Sequence, residues 1–283
     1  MDGTIAHGAR VLFFLALVSG SLLSATDGAS STTAHFELGS DFLVIVHGRI
    51  GDLDGLRFIL DTGSSDTVID ESVARRLRLS GRPGRITSFD REIPVQRTEI
   101  GELRAGPIRA ARVKVIVTKL KDYSEFAQGV DGIIGLDLLS RGKRLSIDYE
   151  RQVVSFEVAG GQGGGLAPSR SFVVPIAVQG ARMNLVVDTG LRHVLLYKDR
   201  LRKGLPHVRT EGESRATALG RLLATQVNLP GVKIAGPETV ATVFLIEEPE
   251  NGNPSGIDGY LGPLSLHVRR IELDFAGHRL LWQ

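Results

Sequence analysis

The sequence predicts an all-β fold of two homologous lobes carrying only short helices. Three observations predict it. First, Asp61-Thr62-Gly63 returns 127 positions later as Asp188-Thr189-Gly190, and Asp131-Gly132-Ile133-Ile134-Gly135 returns at the same 127-residue offset as Asp258-Gly259-Tyr260-Leu261-Gly262. A single D-T-G triplet is expected about 0.05 times by chance in a chain of this length at average residue usage, so two of them with a second motif at one offset mark a duplication. Second, the flanking segments are short, β-branched and often alternate with period two, as strands do. Third, the low-complexity run Gly160–Gly165 stands between the two copies.

Residues 1–29 read as a leader outside the fold. Arg10 precedes the apolar run Val11–Val18, and small and polar residues follow. That order is the n-, h- and c-region pattern of a secretory signal peptide, with cleavage expected near Ala25–Ala29. The run is short for a membrane span. The expectation is an exported chain, periplasmic or secreted, with no stable membrane span once the leader is removed; the alternative is an uncleaved signal anchor.

Residues 34–158 form the expected first lobe. Phe42–Ile50, Leu56–Leu60, Ile86–Phe89, Val95–Ile100, Ala111–Val117 and Leu145–Phe156 read as strands. The stretch Asp66 to Arg78 reads as helix-permissive, acidic at its start and arginine-rich at its end, as the helix dipole favours. Leu136–Ser140 reads as one helical turn. Residues 159–168 read as a flexible glycine-rich linker, since neither phosphate-binding glycine motif is present. Residues 169–283 form the second lobe, opening on the strand Phe172–Val178. Val113–Val115 aligns with Val240–Thr242 at the common offset, and Leu145–Phe156 aligns with Ile271–Trp282 after deletion of one residue.

Composition narrows the chemistry. The 283 residues are 42% hydrophobic and 23% charged, which suits a globular core. There is no cysteine, which excludes thiolate metal sites, disulfide scaffolds and a cysteine nucleophile. The net charge of +2 is spread along the chain and aromatics are only 6%, so the basic, aromatic-lined face of a nucleic-acid binder is not expected. No histidine pair has metal-ligand spacing, so neither metal nor cofactor is expected. No G-x-S-x-G nucleophile elbow occurs.

The chemistry concentrates on the two D-T-G turns. Apolar strand residues Phe58–Leu60 lead into Asp61, and Leu185–Val187 lead into Asp188. If the lobes pair about a two-fold axis, both turns meet on it and two carboxyls are forced together. Like charges about 3 Å apart do not both ionise, so one proton is shared and the apparent pKa values separate. The ionised partner can take a proton from water while the protonated one donates to a carbonyl oxygen: addition of water to an amide without a covalent intermediate. The Thr62 and Thr189 hydroxyls are placed to donate across the axis and lock the turns. Gly63 and Gly190 let backbone N–H groups approach the carboxylates.

These motifs resemble the aspartic peptidase family, in its retropepsin-like branch. The similarity lies in Asp61–Ile69 (D-T-G-x-x-x-T-V-I), the hydrophobic-hydrophobic-Gly elements Ile133-Ile134-Gly135 and Tyr260-Leu261-Gly262, the continuation Gly135–Leu139, and Asp188-Thr189-Gly190, and it extends over residues 36–283. The resemblance implies a bilobal acid-protease fold, Asp61 and Asp188 as the catalytic pair, and Thr62, Gly63, Ser64, Thr189 and Gly190 as support in the catalytic loops. It also implies an aspartic endopeptidase acting on extended polypeptide, and flap hairpins over the cleft. Position suggests Phe89, Asp90 and Arg91 for the first flap and Leu219 and Gly220 for the second. One chain supplies both halves, so a monomer is expected, active in acidic to near-neutral solution. The competing readings are an inactive retropepsin-like module that binds peptides and an envelope-associated structural module.

Lobe two departs from the pattern. The Ser64 hydroxyl is expected to donate to Asp61, making it the more readily ionised member, whereas Leu191 has no such group. Arg192 and His193 follow the second turn, to line a subsite for acidic peptides or to face solvent. Val194 stands where lobe one has Thr67. Asp131 and Asp258 are expected to cap or turn the backbone rather than to form a second acid pair.

Overall fold

The strand Leu53–Leu60 shows why the chain folds as it does. Leu56, Phe58 and Leu60 enter the main core on one face, while Ile59 is buried in a second cluster on the other. A strand covered on both faces reads as a continuous apolar run. Each such wholly buried side chain contributes about 1.5–3 kcal/mol relative to exposure. The computed structural model describes residues 30–88, 91–120, 129–158, 171–204, 211–218, 222–233, 238–248, 256–266 and 268–283. The expected leader (1–29), the glycine-rich linker (159–168) and the flap residues Phe89, Asp90, Leu219 and Gly220 lie outside the described residues.

Among the described residues, lobe one is an eight-stranded sheet. Its order is Glu37–Gly39, Leu43–Ile50, Leu53–Leu60, Gly132–Ile134, Val68–Asp70, Ile108–Thr118, Arg91–Ala105, Arg82–Ser88. It closes on itself where Leu43–Ile50 also pairs with Arg91–Ala105. Lobe two repeats the plan with seven strands: Val173–Val178, Ala181–Val187, Gly259–Leu261, Val194–Tyr197, Thr239–Ile246, Leu222–Lys233, Glu211–Ala218. In both lobes the strand that delivers the aspartate lies parallel to the strand of the hydrophobic-hydrophobic-Gly element.

A third sheet holds the lobes together. Its five strands run Ser30–His35, Val153–Val158, Arg144–Asp148, Arg270–Asp274, Arg279–Trp282. At its centre Ser146 pairs with Glu272, its own counterpart in the repeat. Antiparallel pairing of equivalent residues is what a two-fold axis through that point requires. Across this seam Arg144 reaches Glu272 at 3.2 Å, and Arg270, on the same strand as Glu272, lies 3.5 Å from it.

Three strand expectations change. Leu145–Phe156 is two strands, Arg144–Asp148 and Val153–Val158, because Gln152 takes a left-handed conformation (φ 53°) and the Arg151 N–H donates to Asp148 Oδ1 at 2.8 Å. Val95–Ile100 is the middle of a 15-residue strand. The match of Val113–Val115 to Val240–Thr242 is out by one residue. Val68 pairs with Ile116, and its counterpart Leu195 pairs with Phe244, so 116 corresponds to 244. The faces agree: Val115 and Val243 enter the main core, while Ile116 and Phe244 enter the second cluster of their lobes. A one-residue slip would have turned every side chain to the wrong face.

The expected helical stretch narrows to Glu71–Arg76. Asp70 caps it, accepting from Ser72 N at 2.8 Å through Oδ1, while Oδ2 accepts from Leu120 N at 2.9 Å. Burial alone would raise the Asp70 pKa, but the hydrogen bonds from Ser72 and Leu120 hold it below its ordinary value. Asp70→Ala is expected to lower the unfolding free energy by about 1–2 kcal/mol, a typical N-cap loss. The loss is full above about pH 4, the ordinary carboxylate value, and fades as the pH falls through the lower folded value. Urea melts of the two proteins at pH 7 and pH 2.5 check it.

Candidate active site

The aspartates stand where two strands end. Asp61 follows Leu53–Leu60, and its N–H donates to Ile134 O at 3.0 Å; Asp188 follows Ala181–Val187, and its N–H donates to Leu261 O, also at 3.0 Å. The hydrophobic-hydrophobic-Gly elements therefore hold both aspartates by the same backbone bond. Their glycines are required by close approach: a Cβ on Gly135 would lie 2.5 Å from Asp66 O, and one on Gly262 would lie 2.4 Å from Leu191 O. Ile133, Ile134 and Leu261 are buried beneath the turns, and Tyr260 is half-buried.

Across the axis the turns are locked by four hydrogen bonds. Thr62 Oγ1 donates to Val187 O at 2.8 Å and Thr189 Oγ1 donates to Leu60 O at 2.7 Å. Each hydroxyl also accepts the other threonine's N–H at 3.1 Å. Both threonines are buried, so every donor and acceptor of the lock is used away from water. The glycines bring the carboxyls in: a Cβ on Gly63 would lie 2.2 Å from Asp188 Oδ2, and one on Gly190 would lie 2.7 Å from Asp61 Oδ2 and 3.1 Å from Asp188 Oδ1. The two carboxyl groups are close enough to perturb each other's ionisation.

The pair is electrostatically unequal. Burial raises both pKa values, and it is the largest cause for each. Asp61 is compensated by N–H donors from Gly63 at 2.8 Å and Ser64 at 3.1 Å, both to Oδ1. Among the described residues Asp188 accepts only from Gly190, at 2.8 Å, and it carries the added repulsion of Asp61, so it stands well above the ordinary carboxylate range. The arrangement puts the charge on Asp61 and the proton on Asp188, a pair that titrates as a unit.

The Ser64 expectation is corrected in its means. Its hydroxyl donates to Asp66 O at 2.8 Å, not to Asp61; the backbone N–H reaches the carboxylate instead. The Leu191 N–H turns to Asp188 O at 3.2 Å, leaving the second carboxyl one donor short. Asp131 and Asp258 take matched roles far from the dyad, accepting from Arg57 N at 2.9 Å and Asn184 N at 2.8 Å. Arg192 is exposed; the His193 ring packs on Phe244 with centroids 4.8 Å apart, and burial followed by the Arg192 charge lowers its pKa. The strands Arg82–Ser88 and Arg91–Ala105 pair up to Ser88↔Arg91, which places Arg91 at the outer end of the first hairpin.

Two features escaped sequence reasoning. Thr67 Oγ1 donates to Asp137 Oδ1 at 2.7 Å and accepts from Gly135 N at 3.3 Å, tying the first turn to its supporting element. The signal was available: at the common offset the pair becomes Val194 and Leu264, both apolar. Replacing both partners at once leaves no buried polar group unpaired. In lobe two, Tyr260 and Tyr197 meet edge to face with hydroxyls 3.4 Å apart. Among the described residues no group of three or more His, Cys, Asp or Glu converges as a metal cage.

Residues 46–138, within the first lobe, match the family model described as aspartyl protease. Among solved structures the chain is similar to a retropepsin-like aspartic protease from Rickettsia conorii, with 17% identity over 47% of this chain and 93% of that one and a TM-score of 0.36. No curated protein matches the sequence.

Thr62→Val is expected to destabilise the protein by about 1–3 kcal/mol for each group it orphans, here Val187 O and Thr189 N. Thr62→Ser keeps both bonds and stays near wild type; chemical denaturation of the two variants separates them. Between the ordinary carboxylate value near pH 4 and its raised folded value, Asp188 keeps in the folded state a proton that the unfolded chain has lost, so wild-type stability falls as pH rises through that window. Asp188→Asn removes this slope and is the more stable protein above the window, as thermal melts from pH 3 to 8 would show.

Proposed function

We propose that this retropepsin-like chain is an aspartic endopeptidase, exported and monomeric, that hydrolyses peptide bonds with a water activated between Asp61 and Asp188. The observation that carries the reading is the meeting of two unequal carboxyls on the axis between the lobes, Asp188 buried and Asp61 partly buried, each packed against the glycine of the opposite turn. The family match supports a protease-like function at the coarser level. Export is supported by the leader pattern around Val11–Val18, and a monomer by the presence of both turns in one chain.

The asymmetry assigns the roles. Asp61, held as the carboxylate by Gly63 and Ser64, accepts a proton from water as its oxygen bonds to the scissile carbonyl carbon. Asp188 gives its proton to the carbonyl oxygen, and a neutral tetrahedral diol forms. The C–N bond then breaks as the nitrogen takes the proton held on Asp61 and a diol hydroxyl returns its proton to Asp188. The product carboxyl and amine leave, and the pair is back in its starting state. The extended substrate lies between the lobes beneath the hairpins ending at Ser88↔Arg91 and Ala218↔Leu222.

Asp61→Asn and Asp188→Asn each remove one half of this acid–base pair. Each is expected to lower hydrolysis of an unfolded protein by about 10²–10⁴-fold or more, with the fold retained by circular dichroism. A statine-type inhibitor blocks the wild type. Equal rates for wild type and both variants would reject the reading.

A further inference from the structure

We infer that Arg192 makes the lobe-two side of the cleft select an acidic substrate side chain close to the scissile bond. The inference rests on the reading of the cleft as a peptide site and names its substrate class.

The common offset relates Ser65 to Arg192 and Asp66 to His193, so these pairs stand at equivalent places on opposite sides of the dyad. A symmetric site would read the two halves of a substrate alike. Here the charge is reversed between them. In lobe one the Asp66 carboxylate is answered locally: Ser65 Oγ donates to it at 2.7 Å and Arg97 Nη1 lies 3.8 Å away. In lobe two Arg192 is exposed and forms no ion pair among the described residues.

Arg192 is also held in place from both sides. On its N-terminal side the Leu191 N–H donates to Asp188 O at 3.2 Å, and Leu191 itself is buried. On its other side His193 O accepts from Gly262 N at 3.1 Å, the His193 ring packs on Phe244, and Val194 is buried. The backbone carrying the guanidinium is thus tied to the turn of Asp188 and to the element beneath it. A guanidinium on a rigid turn, with no ion pair among the described residues, matches a carboxylate, which it binds by paired charge-assisted bonds. An extended peptide crossing the axis presents alternate side chains to each lobe, and only its lobe-two half meets this charge.

The test uses peptides blocked at both ends, so that a terminal carboxylate cannot stand in for a side chain. All share one apolar scissile pair and carry Glu, Gln or Lys singly at each of the three positions on either side. Binding is read by fluorescence anisotropy and cleavage separately by chromatography, on the full chain. The expected result is one side of the scissile bond at which Glu improves both binding and kcat/KM about tenfold over Gln, and further over Lys. Arg192→Gln levels the series, and Arg192→Glu makes Lys the preferred residue at that position. Equal treatment of Glu, Gln and Lys by wild type, or a preference for Glu that survives in both variants, overturns the role of Arg192. Cleavage without charge preference overturns this inference alone. Charge-selective binding without cleavage supports it and overturns the endopeptidase reading instead.

Discussion

The crossed threonine lock is the interaction on which the rest of the site depends. Thr62 and Thr189 each donate to the strand of the opposite lobe and each accept from the other's backbone. Because these groups are buried, breaking one bond leaves a dry donor or acceptor behind, which is costlier than the bond itself is favourable. The turns therefore cannot drift apart without unsatisfied polar groups, and Asp61 and Asp188, one residue before each threonine, are kept together despite their mutual repulsion. Paired neutral hydrogen bonds thus hold together two carboxyls that would repel if both were ionised.

The axis has a second anchor. Ser146 faces Glu272 at the centre of the interlobe sheet, as Thr62 faces Thr189 at the turns. Two points define a line, so the lobes are fixed in both angle and separation. The main core runs without a break through both lobes and this sheet, and Leu264 of lobe two packs against apolar clusters of both lobes. Such rigidity fixes the separation of the two carboxyl groups on the axis.

Within this symmetric frame the contents are not symmetric. One extra backbone donor at Ser64 separates the proton affinities of two chemically identical side chains. The Thr67–Asp137 pair of lobe one becomes Val194 and Leu264 in lobe two, and Ile133 becomes Tyr260, paired with Tyr197. The Thr67–Asp137 change replaces both polar partners by apolar ones together, so it leaves neither half of that pair orphaned. The duplication supplies geometry; the divergence makes the two carboxyls and their surroundings unequal.

The sequence by itself determined the duplication, the strand-rich class, the pair Asp61 and Asp188, and the cross-axis task of the threonines. All of these follow from residue identity at a constant offset, and a backbone that repeats its motif repeats its turn. Tertiary structure alone decided which atoms meet. It showed the Ser64 N–H rather than its hydroxyl on Asp61, a slip of one residue in the match of Thr239–Ile246 to Ile108–Thr118, and the break of Leu145–Phe156 into a hairpin. The reason is common to all three. A hydroxyl chooses among acceptors within reach, and a strand chooses its register by which face must be dry. Both choices are settled by neighbours distant in the chain, which no local pattern specifies.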